Sequence, residues 1–182
     1  MIEQPDRQDY DELLRIWELA VRSTHHFLTE NDILFYKPLV RDEYFQAVEL
    51  YMLRGSTGRI AAFLGLSEDN IEMLFVHPDE QGRGYGKCLI DFAVHEKLIY
   101  KVDVNEQNEK AFHFYQNRGF EVVGRDAVDG MGSLSRFCIC NYRIKSLCSF
   151  VSSCGQSFLL FEYCGTYFRF YLLLADNPED FL

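Results

Sequence analysis

Ile71-Glu72-Met73-Leu74-Phe75-Val76-His77-Pro78-Asp79-Glu80-Gln81-Gly82-Arg83-Gly84-Tyr85-Gly86-Lys87 runs from an apolar strand, through a proline stop, into a loop with glycine at every second position. The strand reads as 71–76. Pro78 ends it, and Gln81 to Lys87 open a helix whose apolar stripe is Leu89, Ile90, Ala93 and Val94. Sterically permissive N–H groups at a helix N-terminus, where the backbone donors lack intrahelical partners and the dipole is positive, favour a phosphate, and a pyrophosphate above all. Neither common glycine motif fits. A Walker A loop needs four residues between its first Gly and Gly-Lys, followed by Ser or Thr; here the spacer is three and Cys88 follows. Glycines at 82, 84 and 86 also miss the interval of the dinucleotide fingerprint.

Upstream, Leu13, Leu14, Trp17 and Val21 recur at helical spacing, with Asp9 and Glu12 placed as a capping box, which predicts a helix from Asp9 to Arg22. A poorly periodic helical or loop stretch follows through Phe45. Strands are predicted over Glu49–Leu53 and Arg59–Leu66, joined at Gly55-Ser56-Thr57-Gly58, with a further turn at Glu68-Asp69-Asn70 leading back into 71–76. Downstream come a strand over Ile99–Val104, a helix from Asn108 to a Gly119 cap, and a strand over Phe120–Val123. An antiparallel meander followed by helical crossovers implies a mixed sheet with helices on its faces.

The chain has 182 residues, enough for one well-buried core. Its 18 Lys and Arg against 28 Asp and Glu give a net charge of -10, which argues against a surface that tracks nucleic-acid phosphates. No basic n-region with an apolar stretch follows Met1, so a cytoplasmic address is the expectation. No run of about 18 clean apolar residues is present, and membrane insertion is not expected. Six Cys, five of them crowded from Cys138 to Cys164, form neither a whole-domain disulfide scaffold nor a zinc ladder and read as thiols; no metal site is expected.

The Gln81-x-x-Gly84-x-Gly86 loop and the segment Asn108-x-x-Ala111-x-x-x-Tyr115-x-x-x-Gly119-Phe120, in that order, resemble the GNAT superfamily of acetyl-CoA-dependent N-acetyltransferases. Ile16-Trp17, Thr24-His25-His26-Phe27-Leu28, Val104-Asn105-Glu106-Gln107-Asn108 and Gly124-Arg125 further resemble its small bacterial YjaB-like branch, over about residues 9–132. The resemblance implies a GNAT-like α/β (α+β) fold: a mixed, mostly antiparallel sheet with helices on both faces and a splayed central strand pair. It divides the chain into an acetyltransferase domain, 1–132, and an atypical Cys- and aromatic-rich segment, 133–182. Within that segment Phe137–Tyr142 is a candidate extra strand.

Acetyl transfer from a thioester to an amine needs a neutral amine, a stabilised oxyanion and a proton for the departing thiolate. The resemblance implies that Gln81, Gly82, Arg83, Gly84, Tyr85, Gly86 and Lys87 hold the acetyl-CoA pyrophosphate. It further implies that the Leu74 N–H polarises the thioester carbonyl, that Val76 pairs with the pantetheine, and that the Tyr115 phenol protonates the leaving thiolate. Asn108, with Ala111 beside it on the cofactor segment, bonds the cofactor or caps its helix, or does both. Asn105 lines the cleft or forms a turn. Glu72 accepts the amine proton through water or is an exposed strand glutamate. His25 and His26 sit in a segment lining the acceptor cleft, where one relays a proton. A small-molecule or peptide amine is the expected acceptor, and oligomeric state is left open. The competing reading is a non-catalytic acyl-CoA-binding or interaction module with a disrupted acceptor side.

Overall fold

A computed structural model describes residues 1–26, 28–105, 108–126 and 139–144. Its strands are β1 (Ile2–Glu3), β2 (Glu49–Arg54), β3 (Ile60–Leu66), β4 (Asn70–Val76), β5 (Lys101–Asn105), β6 (Phe120–Asp126) and β7 (Ile139–Ile144). They form one sheet in the order β1-β2-β3-β4-β5-β7-β6, antiparallel throughout except for the β4–β5 pair. The extra strand expected near Phe137–Tyr142 is β7, wedged between β5 and β6. The rest of the segment from 133 onward lies outside the described residues.

Helices α1 (Tyr10–Thr24), α2 (Glu30–Leu39) and α3 (Phe45–Ala47) cover one face; α4 (Tyr85–His95) and α5 (Glu109–Gln116) cover the other. Strand alternation sorts the core between them: Leu50 and Met52 of β2 meet Trp17 and Phe45, whereas Tyr51 and Leu53 meet Leu89 and Ala93. The stretch after α1 is helical. Thr29 caps α2 by accepting the Asp32 N–H at 3.2 Å. Pro38, which lacks an N–H, sits in the last turn of α2, and a π-helical turn, Val40–Tyr44, follows. That break explains the poor periodicity of the sequence there.

The start of α1 departs from expectation. Asp9 is already helical (φ -79°, ψ -17°), and its carboxylate instead accepts the Asp6 N–H at 3.0 Å, closing a 3-10 turn over Arg7–Asp9. Glu12 is thereby released, and its Oε1 accepts the Ile60 N–H at 3.1 Å. Ile60 lies where the β2–β3 register shifts, between Leu53 and Arg54, so the side chain supplies a partner to an N–H beside an irregular ladder.

Two irregularities position the site. The β4–β5 ladder contains only Asn70–Lys101 and Ile71–Val102, after which the parallel strands separate. On the other edge of β4, Leu66 faces Ile71 but Gly65 faces Met73, leaving Glu72 as the extra residue of a bulge. The alternation expected to set Glu72 beside Leu74 is broken at that residue. Its carboxylate instead accepts the Ser67 hydroxyl at 2.6 Å.

Removing the Glu12 carboxylate strands a part-buried amide. Glu12→Ala is expected to lower unfolding free energy by about 1–2 kcal/mol, seen as a reduced urea midpoint at unchanged m-value.

Candidate active site

Where β4 and β5 part, a cavity of about 490 Å3 opens between β4, the glycine loop, α5 and the end of α1. That volume suits a ligand rather than a few waters. His77 donates its N–H to the Ala61 carbonyl at 2.8 Å, which makes 77 and 61 a hydrogen-bonded antiparallel pair. Stepping by two, 75 with 63 and 73 with 65 are also such pairs. The main-chain groups of Leu74 and Val76 therefore point the opposite way, toward the gap that β5 has vacated. Both residues line the cavity.

The loop supplies a second set of donors. Gly84 adopts φ +88° as the N-cap of α4, a left-handed conformation in which a side chain is strained. No side chain caps α4, unlike α2 and α5. Its first internal bond runs from the Cys88 N–H to the Gly84 carbonyl at 3.0 Å, so the N–H groups of Tyr85, Gly86 and Lys87 precede the helical ladder. A Cβ on Gly86 would stand in ordinary contact 3.4 Å from the Phe114 ring and 3.5 Å from Val76, which places the start of α4 beside both β4 and α5. Gln81, Gly82, Tyr85 and Lys87 also line the cavity. Arg83 does not: its Nη1 stands 3.0 Å from Glu80 Oε2, at ion-pair distance though without hydrogen-bond alignment.

On α5, Asn108 Oδ1 accepts the Ala111 N–H at 3.1 Å, the capping role expected of it. That bond occupies Oδ1 and leaves the amide as a donor at the cavity wall, where Ala111 also lies. Tyr115 is buried, 5% exposed, with Phe114 and Phe120 edge-on at 5.2 and 5.4 Å between ring centres. Burial pushes its phenol above the ordinary tyrosine range, so it stays protonated at physiological pH. Asn105 stands outside the cavity lining, with its carbonyl accepting the Asn108 N–H at 2.9 Å. Its structural role is the approach to α5.

At the far wall, Thr24 donates its single hydroxyl proton to the Ala20 carbonyl at 2.8 Å. Thr24 Oγ1 also lies 2.8 Å from His25 Nδ1, within hydrogen-bond distance. Burial, with neighbouring His26 as a smaller cause, lowers the His25 pKa from 6.5 to about 4, so the imidazole is neutral near pH 7. His26 is exposed and does not line the cavity. Glu72, held by Ser67, is outside it as well.

Several lining residues escaped the sequence reading: Ala20, Phe75, Glu80, Lys110, Phe114, Asn117 and Arg118. Lys110 and Phe114 lie four residues apart on α5 and Arg118 four further on, in the turn after it, a spacing that was the available signal. Among the described residues no group of three His, Cys, Asp or Glu is placed to hold a metal, and no helix is long and apolar enough to cross a membrane. Cys88 is an exposed free thiol.

Residues 44–122 match the model of the acetyltransferase (GNAT) domain. Over 131 residues the chain is 33% identical to the peptidyl-lysine N-acetyltransferase YjaB of Escherichia coli K12, covering 72% of this chain and 88% of that protein. The chain belongs to the GNAT acetyltransferase family. The solution structure of apo YjaB from Escherichia coli superposes with a TM-score of 0.68 at 30% identity, over 80% of this chain and 97% of that one. A PaiA N-acetyltransferase from Thermoplasma acidophilum, solved in complex with coenzyme A, shares the fold at TM-score 0.61 and 16% identity, over 79% and 98% of the two chains. As in GNAT proteins generally, the mixed sheet here carries helices on both faces and a parted central pair, and the chain is an acyltransferase of the acetyl-CoA-dependent kind.

The His25 shift has a defined sign. Between pH 6.5 and about 4 the unfolded chain binds a proton at this residue that the folded chain does not, so stability falls as pH falls through that window. The loss is at most about 3 kcal/mol, from 1.36 kcal/mol per pKa unit. Urea denaturation at pH 7, 5.5 and 4.5 is expected to show this decline, and His25→Gln to remove most of it.

Proposed function

We propose that this chain transfers the acetyl group of acetyl-CoA to a lysine side-chain amine of a peptide or protein, by direct attack with both substrates bound. The observation that carries the reading is the convergence on one cavity of the Leu74–Val76 edge, the uncapped start of α4 and the protonated Tyr115. The residues fit acetyl-CoA: the main-chain edge matches an amide-bearing arm, and the α4 donors match a diphosphate. Kinship with peptidyl-lysine acetyltransferases supports lysine as the acceptor.

In this mechanism the Leu74 N–H donates to the thioester carbonyl, whose oxygen gains charge as the C–N bond forms and the C–S bond breaks. Val76 aligns the pantetheine through its main chain. Tyr115 gives its proton to the departing sulfur and recovers one from solvent. The His25 imidazole receives the amine proton and passes it on to water. An imidazole with a pKa of about 4 relays a proton rather than storing it, so the alkaline-rising limb of the rate follows the acceptor amine itself. Glu72, bonded to Ser67 away from the cavity, has no part in this scheme.

The purified chain incubated with acetyl-CoA and a lysine peptide is expected to release thiol and acetyl-peptide in equal amounts. Tyr115→Phe should lower kcat about 100-fold while coenzyme A affinity by calorimetry changes less than about threefold. Gly84→Ala, whose added methyl meets open space, should weaken coenzyme A binding through backbone strain alone. Coenzyme A binding with neither product formed across a panel of lysine peptides and small amines would replace the enzyme reading by the non-catalytic module.

A further inference from the structure

The turn between β2 and β3 approaches both flanks of the glycine loop. A Cβ placed on Gly55 would stand 3.5 Å from the Tyr85 hydroxyl and 3.7 Å from the Glu80 carboxyl carbon, so the bare backbone of the turn lies beside these two side chains. Glu80 ends the 3-10 turn Pro78–Glu80 that leads into the loop, and Tyr85 opens α4 directly after it. Both line the cavity. The four residues between them, Gln81 to Gly84, are exposed, and Gly82 and Gly84 adopt left-handed φ values of +79° and +88°. Glycine leaves such a segment wide conformational freedom, so its shape depends on how its two ends are held.

The turn is held in its place by one guanidinium. Arg54, at the end of β2, donates from Nε to Glu3 Oε1 of β1 at 2.7 Å, from Nη2 to Asp9 Oδ1 at 3.0 Å and from Nη1 to the Gly58 carbonyl at 3.4 Å. Three chain segments meet there: the N-terminal strand, the 3-10 turn before α1 and the β2–β3 turn. Within the turn the Gly58 N–H donates to the Gly55 carbonyl at 3.0 Å and the Gly55 N–H to the Arg59 carbonyl at 2.8 Å, so the position of Arg54 is passed on to Gly55. A planar fork of donors serves three acceptors in fixed directions, which the single ammonium of a lysine does not reproduce. The side chains of Arg54, Glu3 and Asp9 are 38%, 44% and 18% exposed, and pairs so open to water contribute little to global stability. Their consequence is local placement.

We propose that Arg54 is a positioning residue for the glycine loop. By anchoring the β2–β3 turn to β1 and to the start of α1, it holds Glu80 and Tyr85 and thereby strengthens acetyl-CoA binding from outside the cavity, which it does not line. The inference rests on the acetyl-CoA reading above.

Amide exchange by NMR and calorimetry with coenzyme A, on the full chain, test it together. The amides of Glu80, Gln81 and Cys88 are hydrogen-bonded at the two ends of the loop and report on its flanks. In Arg54→Gln they are expected to exchange faster than in wild type, while those of Leu89 to Val94 within α4 keep their rates. Coenzyme A should bind about fivefold more weakly, with kcat at saturating acetyl-CoA within about twofold of wild type. Arg54→Lys is expected to behave like Arg54→Gln, and Glu3→Gln/Arg54→Gln to bind no more weakly than Arg54→Gln alone, because the two side chains act as one unit. Unchanged coenzyme A affinity in Arg54→Gln, unchanged exchange at the loop flanks, or faster exchange spread through α4 overturns the positioning role and leaves the acetyl-CoA reading intact. Absence of coenzyme A binding by wild type overturns that reading and the inference with it.

Discussion

The parting of β4 from β5 after two residue pairs is the constraint from which the rest follows. Buried backbone groups require partners, so a sheet interior cannot leave a stretch of strand edge open unless something else is to occupy it. Here the opening is maintained from both sides. The bulge at Glu72 bends β4 where the ladder ends, and α5 sets Ala111 and Tyr115 at the opening while its cap is completed by Asn108. At Gly86 α4 begins beside Val76 of β4 and Phe114, bringing the loop's donors to the same cavity.

The two walls of that cavity differ in character. The loop, α5 and the turn after it contribute main-chain donors and the side chains of Lys87, Lys110 and Arg118. The wall from α1 contributes Ala20, Thr24 and His25, small or neutral groups bound to one another by the Thr24 hydroxyl. Cationic side chains thus lie on one wall and none on the other. Burial acts in opposite senses on the two titratable groups: it keeps the Tyr115 proton on and the His25 proton off.

Much of this was legible in the chain. The spacing Gln81, Gly84, Gly86 and the registry of Asn108, Ala111 and Tyr115 are local patterns, and local patterns survive into the structure because neighbouring residues on one turn or strand stay neighbours. What escaped depended on distant partners. The strand alternation set Glu72 on the wrong surface because a bulge is decided by the opposing strand. Glu12 appeared to complete a cap and instead serves Ile60, 48 residues away. Arg83 sits in the signature loop, yet Glu80 three residues earlier draws it aside. Lys110 and Arg118 resemble ordinary solvent-facing cations until their place on the cavity wall is seen in three dimensions.

The position of β7 bears on how the molecule is made. β5 and β6 do not pair with each other; they are joined by β7, which is hydrogen-bonded to both. As the polypeptide leaves the ribosome, β1 to β4 with α1 and α2 can assemble from contiguous chain, while β6 has no neighbour until Ile144 has emerged. The sheet beside α5 is therefore completed last in chain order, and a nascent chain that ends before residue 139 lacks the strand that joins β5 to β6.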